Sequence, residues 1–431
     1  MLAHIIIYLR LKKGKEDPKR CNERFGISSN FALQKLDEYK QFCQENNFES
    51  KVIWIHAVSV GESLSVLDFV KKISDKNYFI VFTTTTMTSA EVLKNKLPKN
   101  VVHQYCIFHT KCYVEKFLDT WKPMSVFFVE NEIFPSTIKL LHGKKIPFYI
   151  INARISNRSF KLWKMIKFYI KPLLKRYSCI FALSEQERNK FQILSDNKAN
   201  IKSFGNLKFD VAVSNKLAIE KEFDNCCISQ ETVKCKLLRE IYKDKKIIVF
   251  GSIHSKEFFY ILWQYSMMLK KINCIGIFVP RYINESDRLE KLALESNFNP
   301  IYWDDFKNND NKKKEGNLVI VDKMNILQSL YKVCDIAVVC GSFVNGIGGH
   351  NPIESLVFCK PTFVGNYCSK SQDLIDQLLY DDVIIQTMDL CSNVLSLVSD
   401  NDRRNKLEHD INSFFKKHEN VSEKIINEIG L

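Results

Sequence analysis

Residues Ile53–Val70 read IWIHAVSVGESLSVLDFV. The apolar opening describes a buried strand, the glycine-bearing middle a turn, and the remainder a helix. A helix that opens near Ser59 puts Glu62 at its third position. Ser59 and Glu62 then match the capping-box pattern, a purely structural use. Gly61 fits that use poorly, because a glycine in a first turn weakens a helix unless something must approach the backbone closely. Taken alone, the stretch favours the cap.

The same strand, turn and helix recur on either side. Strands are expected at Val52–His56, Tyr78–Thr83, Ser125–Val129, Phe148–Ile151 and Cys179–Leu183. A second series follows at Ile247–Phe250, Ile275–Val279, Leu318–Val321, Ile336–Cys340 and Thr362–Val364. Helix-length segments between them predict parallel sheets, so the fold class is α/β with two doubly wound, Rossmann-like domains facing a cleft. The polar run SNKLAIEKEFDNCCISQETVKC separates the two series. The expected divisions are 1–45 (an apolar and basic N-terminal segment), 46–212, a linker at 213–240, and 241–431 with C-terminal helices. WDDFKNNDNKKKEGN, residues 303–317, reads as a surface loop.

Composition bounds what such a fold can be doing. The 431 residues exceed one core and suit two domains. Sixty-three Lys and Arg against 49 Asp and Glu leave a formal charge of +14. That excess points either to an anionic partner or to a lysine-rich compositional bias. Fourteen cysteines without a CxxC pair read as reduced cysteine, neither a disulfide framework nor a zinc site. The opening MLAHIIIYLRLKKGKEDPKR has about half the ~20 apolar residues needed to span a bilayer. With Arg10, Lys12, Lys13 and Lys15 behind it, it suits an interfacial anchor on an anionic leaflet, or a first helix packed on its own domain.

Four further motifs sit at expected strand ends. VFFVENEIFPSTI places Glu130, Asn131 and Glu132 where a buried parallel strand stops, with Pro135 suited to a first helical turn. Carboxylates there are functional or are held by a salt bridge, for which Arg154 of NARISNRS is available. VFGSIHSKEF puts Ser252 after a strand, at a turn able to bind phosphate through backbone N–H groups. FVPRYINESDR offers Arg281 as a bidentate anion grip or as an ordinary surface arginine. VVCGSFVNGIGGHNPIESLVFCKPTFVG is the most specific: Gly341, Gly346, Gly348 and Gly349 precede a helix for which Asn351 suits the N-cap and Glu354 the third position. It describes a backbone wrapped around an anion, yet matches neither the Walker nor the GxGxxG pattern. No DxD-like metal motif, HExxH or GxSxG occurs, and the isolated histidines form no metal-ligand spacing.

IHAVSVGES, ENEIFP, INARISNRS, GNLKFD (Gly205–Asp210), GSIHSKE, VPR and GGHNPIESLVFCKP occur in the order found in the Kdo transferases, which transfer 3-deoxy-D-manno-oct-2-ulosonic acid (Kdo) in lipopolysaccharide synthesis. The chain resembles that family over nearly its whole length; GKEDPKRCNERFG (Gly14–Gly26) resembles the segment that follows the family's membrane anchor. The resemblance implies a GT-B fold with an acceptor-binding N-domain and a nucleotide-binding C-domain. It implies CMP-Kdo as donor, a lipid A precursor such as lipid IVA as acceptor, inversion at the anomeric carbon, and neither cofactor nor catalytic metal. Glu62 then resembles the general base and Glu130 a second carboxylate. Ser252, Arg281, Gly348, Gly349, Asn351 and Glu354 resemble donor contacts, with Glu354 on the ribose. Gly61, Arg154 and Lys208 match substrate-contact positions. An apolar segment that stops near Leu11, and Phe134 where the family carries Trp, are departures. The first implies peripheral or weak attachment, or an incomplete N-terminus, and the resemblance implies the cytoplasmic face of the inner membrane. Two other readings stand beside this one: a UDP-sugar-dependent GT-B transferase or epimerase, and a non-enzymatic basic protein. Basic residues spread along the chain, without aromatic interleaving, argue against nucleic acid.

Overall fold

A computed structural model describes residues 2–224, 229–305 and 316–431. Cys226, Cys227 and most of the expected loop at 303–317 lie outside them. The start of that loop is no surface loop: Trp303 is fully buried, and its indole N–H donates to Glu231.

The chain divides into two compact units, Met1–Val211 with Asn420–Leu431, and Ala212–Glu419. The first holds seven parallel strands: β1 (Val52–Ala57), β2 (Phe79–Thr84), β3 (Val101–Tyr105), β4 (Ser125–Val129), β5 (Phe148–Ala153), β6 (Cys179–Ala182) and β7 (Ile201–Ser203). Their order is β3-β2-β1-β4-β5-β6-β7, with Val52 beside Phe79 and Ile53 beside Ser125. All six residues of β1 are buried because helices cover both faces. Trp54 and Val52 enter one core, Ile53, Ile55 and Ala57 the other.

The second unit repeats the plan with β8 (Lys246–Ile253), β9 (Cys274–Pro280), β10 (Pro300–Tyr302), β11 (Leu318–Ile320), β12 (Ile336–Val339), β13 (Thr362–Val364) and β14 (Ile385–Gln386). Here the order is β10-β11-β9-β8-β12-β13-β14. The ten strands expected from sequence are all present. The four not anticipated, β3, β7, β10 and β14, are the outer strands of the two sheets.

The divisions differ from the sequence-based ones at three places. Residues 1–45 are no separate segment. Arg24 is buried and donates from Nη2 to Glu16 Oε1 (2.9 Å) and the Thr85 carbonyl (2.7 Å), and Glu23 accepts the Tyr105 N–H (2.7 Å). The expected linker is largely helical, Leu207–Asp224 and Gln230–Ile241, and the boundary falls at Val211. The last twelve residues belong to the first unit, not the second. The Asp210 carboxylate accepts the N–H groups of Val421 (3.0 Å) and Ser422 (2.5 Å), capping the final helix Val421–Ile429. Val421, Ile425 and Ile426 are buried in the core that holds Ile53 and Ile55.

Candidate functional site

In the first unit the charged residues singled out from sequence gather at the C-terminal ends of β1, β4 and β5 and at the start of the Leu207 helix. Ser59 is the N-cap of the helix Val60–Ser65, and its Oγ accepts the Glu62 N–H. The Glu62 carboxylate accepts the Val58 N–H (2.7 Å) and the Ser59 hydroxyl (2.9 Å). Glu62 is therefore part of a cap, but its carboxyl is half-buried and shares its surroundings with Glu130. Burial chiefly, and Glu130 in addition, push its pKa up against the two hydrogen bonds. A Cβ placed on Gly61 would meet nothing within 4 Å, so no atom of the chain demands glycine there.

Glu130 ends β4 in the left-handed region, with φ +65°. A non-glycine residue held there costs of order 1–3 kcal/mol, and such strain concentrates at functional sites. The salt bridge allowed by the sequence forms: Arg154 Nε lies 3.6 Å from Glu130 Oε2. Burial lowers the Lys208 pKa, and Glu130 and Glu62 partly restore it. Buried Asn152 (φ +53°) accepts the Leu207 N–H at 3.3 Å and so ties the GNLKFD segment to β5. Glu132, named in the sequence motif beside Glu130 but given no separate role there, joins this group. Burial, then Glu62 and Glu130, raise its carboxyl to about 7. Three carboxylates within electrostatic reach resist simultaneous ionisation, which favours uptake of a proton by one of them.

In the second unit Ser252 has φ +58° beside an irregularity in the β8–β9 register, and Arg281, which follows β9, is exposed. The glycine loop is fastened by a residue the sequence reading missed. Buried Glu257 accepts the N–H groups of Gly341 (2.7 Å), Phe343 (2.9 Å) and His254 (3.2 Å). Gly341 has φ +80°, and a Cβ there would lie 2.5 Å from His350 Cδ2. Gly348 and Gly349 are buried with φ +98° and +80°. His254 and His350 stack and share a 2.9 Å Nε2···Nε2 hydrogen bond. Burial, His254, Arg281 and Lys370 lower the His350 pKa to about 4. Asn351 Oδ1 accepts the Ile353 N–H at 3.1 Å, but the N-cap falls on Pro352, one residue later than expected, and the helix is a single turn, Ile353–Leu356. So short a helix has little macrodipole, and the positive charges acting on the loop are those of Arg281 and Lys370. Burial raises Glu354, while a hydrogen bond to Gln328 and the charge of Arg281 oppose the rise.

The histidines show no metal-ligand spacing along the sequence, but the fold brings some of them together. His56, Cys106 and His109 bring three ligand atoms within 4.8 Å of one another.

Two doubly wound sheets with ligand-type residues at their strand ends define a GT-B class protein. A solved glycosyltransferase from Rickettsia africae ESF-5 shares the fold, with a TM-score of 0.54 at 14% identity over 89% of this chain and 98% of that one. Residues 19–211 match the family described as 3-Deoxy-D-manno-octulosonic-acid transferase (kdotransferase). The 3-deoxy-D-manno-octulosonic acid transferase of Rickettsia bellii (strain RML369-C) is 31% identical over 394 residues, 89% of this chain and 83% of that protein. A bifunctional glycosyltransferase/methyltransferase of Fusobacterium nucleatum is 31% identical over 389 residues; the chain spans 58% of that longer relative. The chain belongs to the Kdo transferase family.

Proposed function

We propose that this chain transfers Kdo from CMP-Kdo to a hydroxyl of a lipid A precursor such as lipid IVA in lipopolysaccharide biosynthesis, with inversion. Glu62 removes the hydroxyl proton, and Glu130 is the second carboxylate. Gly61, Arg154 and Lys208 contact substrate. Ser252, Arg281, Gly348, Gly349, Asn351 and Glu354 hold the CMP moiety. The observation that carries this reading is the half-buried Glu62 carboxyl, raised by burial and by Glu130. A carboxylate moved toward the working pH is a better general base than an ordinary one. The leaving phosphate is met by Arg281 and loop N–H groups, so the transfer step is assigned entirely to side chains and backbone.

A lipid acceptor asks for a membrane surface. Among the described residues no helix is long and apolar enough to cross a membrane. Two exposed apolar patches support peripheral attachment instead. Ile5, Tyr8 and Leu9 lie exposed on the first helix. The second patch was not anticipated: Leu162, Met165 and Phe168, the last 81% exposed, stand beside exposed Lys161, Lys164 and Lys175. This pairing suits an anionic leaflet, which we place at the cytoplasmic face of the inner membrane.

Incubation with CMP-Kdo and lipid IVA, followed by mass spectrometry of the lipid, tests the proposal and counts the sugars. An unchanged lipid mass with folded protein overturns it. Thermal stabilisation by UDP but not CMP would move the assignment to a UDP-sugar enzyme.

A further inference from the structure

His56 and Cys106 are fifty residues apart in sequence. His56 lies on β1, while Cys106 directly follows β3, whose exit is pinned by a hydrogen bond from the Cys106 N–H to the Thr84 carbonyl (2.8 Å). His109 comes three residues later. Cys106 Sγ stands 3.2 Å from His109 Nε2 and 3.7 Å from His56 Nε2. We propose that His56, Cys106 and His109 bind a single zinc ion, which clasps the β3 exit to β1.

Three observations carry this. The first is geometric. Zn–S near 2.3 Å and Zn–N near 2.0 Å at a tetrahedral centre put sulfur and nitrogen about 3.5 Å apart. The two S···N separations, 3.2 and 3.7 Å, bracket that edge.

The second is the outer layer of hydrogen bonds. His56 Nδ1 is engaged by Thr83 Oγ1 at 2.9 Å, and His109 Nδ1 by Thr137 Oγ1 at 2.8 Å. Each imidazole thus has Nδ1 occupied and Nε2 turned to the sulfur, the arrangement that orients metal-binding histidines. Phe134 holds both rings, stacking on His109 at 3.3 Å between centroids and meeting His56 edge-on at 5.7 Å.

The third is the shared, largely buried setting of the three groups. Cys106 and His56 are buried, and His109 nearly so. The Cys106 sulfur is the shared neighbour of both Nε2 atoms and also lies 3.4 Å from the Ile107 carbonyl. An ion that replaces the thiol proton engages all three groups. Two nitrogens and a thiolate select a borderline-soft ion over magnesium or calcium. The fourth position faces a cavity of about 340 Å³ lined by Val58, Arg24, Cys106, His109, Glu132 and Phe134, and takes a solvent molecule. Binding releases the Cys106 proton to solvent. The ion is a clasp and takes no part in the proposed transfer, so either proposal can fail alone.

The test uses the full chain, stripped with a chelator, checked for folding by circular dichroism, and titrated with Co²⁺. A tetrahedral cobalt spectrum with a thiolate charge-transfer band should saturate at one equivalent and be displaced by Zn²⁺. Cys106→Ser should abolish the charge-transfer band. Thr137→Val, which touches no metal, should weaken affinity about 10- to 100-fold, as outer-layer substitutions do. Glu62→Gln should titrate like the wild type. Stripped, folded wild type that gives no cobalt band and retains no zinc on dialysis overturns the proposal, whether or not Cys106→Ser folds. So does a full charge-transfer band in Cys106→Ser, because the sulfur would then come from another cysteine.

Discussion

Glu62→Gln separates cap from catalyst, since the structure gives this carboxylate both tasks. The amide is isosteric and keeps one acceptor oxygen for either the Val58 N–H or the Ser59 hydroxyl. The bond it cannot replace is worth about 1 kcal/mol. Removing the charge also relieves repulsion by Glu130 and Glu132, which works in the opposite direction. Net stability should therefore change by no more than about 1 kcal/mol, a shift of a few degrees in Tm for a unit of this size. Losing a general base costs about 10²–10⁴ in rate, or roughly 2.7–5.4 kcal/mol of barrier. The assay is steady-state Kdo transfer to lipid IVA alongside differential scanning calorimetry, with KM for CMP-Kdo unaltered. Ser59→Ala is the control: it removes the cap hydroxyl at a cost of about 1 kcal/mol, and transfer should stay within ten-fold of the wild type. If Glu62→Gln keeps more than a tenth of the wild-type kcat, or if Ser59→Ala loses as much as Glu62→Gln, the carboxylate is a cap and no base.

Gly341→Ala forces a side chain onto φ +80° against His350; left-handed backbone alone costs about 1–2 kcal/mol, and stabilisation by CMP in a thermal-shift assay should vanish. His103 is held neutral, its pKa lowered to about 3 by burial and then by Arg20 and Arg24. The unfolded chain takes up that proton first as pH falls below about 6.5, so stability is full above that pH and declines toward pH 3. Between pH 6.5 and 5 this one group removes about 2 kcal/mol, and urea unfolding of His103→Gln should show a correspondingly flatter acid limb; an unchanged slope refutes the assignment. Met165→Ser with Phe168→Ser removes two exposed apolar side chains, each worth about 1.5–3 kcal/mol when buried in lipid. Flotation with anionic vesicles should fall by more than ten-fold, while activity on detergent-dispersed lipid IVA is kept. Asp210→Ala strips the final helix of two backbone hydrogen bonds, and amide exchange over residues 420–431 should accelerate.

The parts of this molecule that sequence reveals are those where burial on two sides writes the pattern. Interior strands such as β1 and β12 are buried throughout and read as unbroken apolar runs. The outer strands β7 and β14 are IKS and IQ, two or three residues with partly exposed side chains, and carry too little pattern to separate from loop. The same distinction governs the site. Glu62 and Glu354 were legible because strand, turn and helix place them in one local frame, and local spacing is what a sequence displays. Glu132 was legible as a strand-end carboxylate, but its raised pKa was not, because the burial and the Glu62 charge behind it come from elements distant in sequence. Asp210 read as one more acid in GNLKFD, because its partners lie more than two hundred residues away. The histidine and cysteine cluster was hidden for the same reason. A ligand set is recognised in sequence by short spacing, whereas a parallel sheet joins neighbours through crossovers of a dozen or more residues. In a doubly wound fold, then, sites assembled across strands escape motif reading as a rule, and buried polar groups without local partners are the places to search for them.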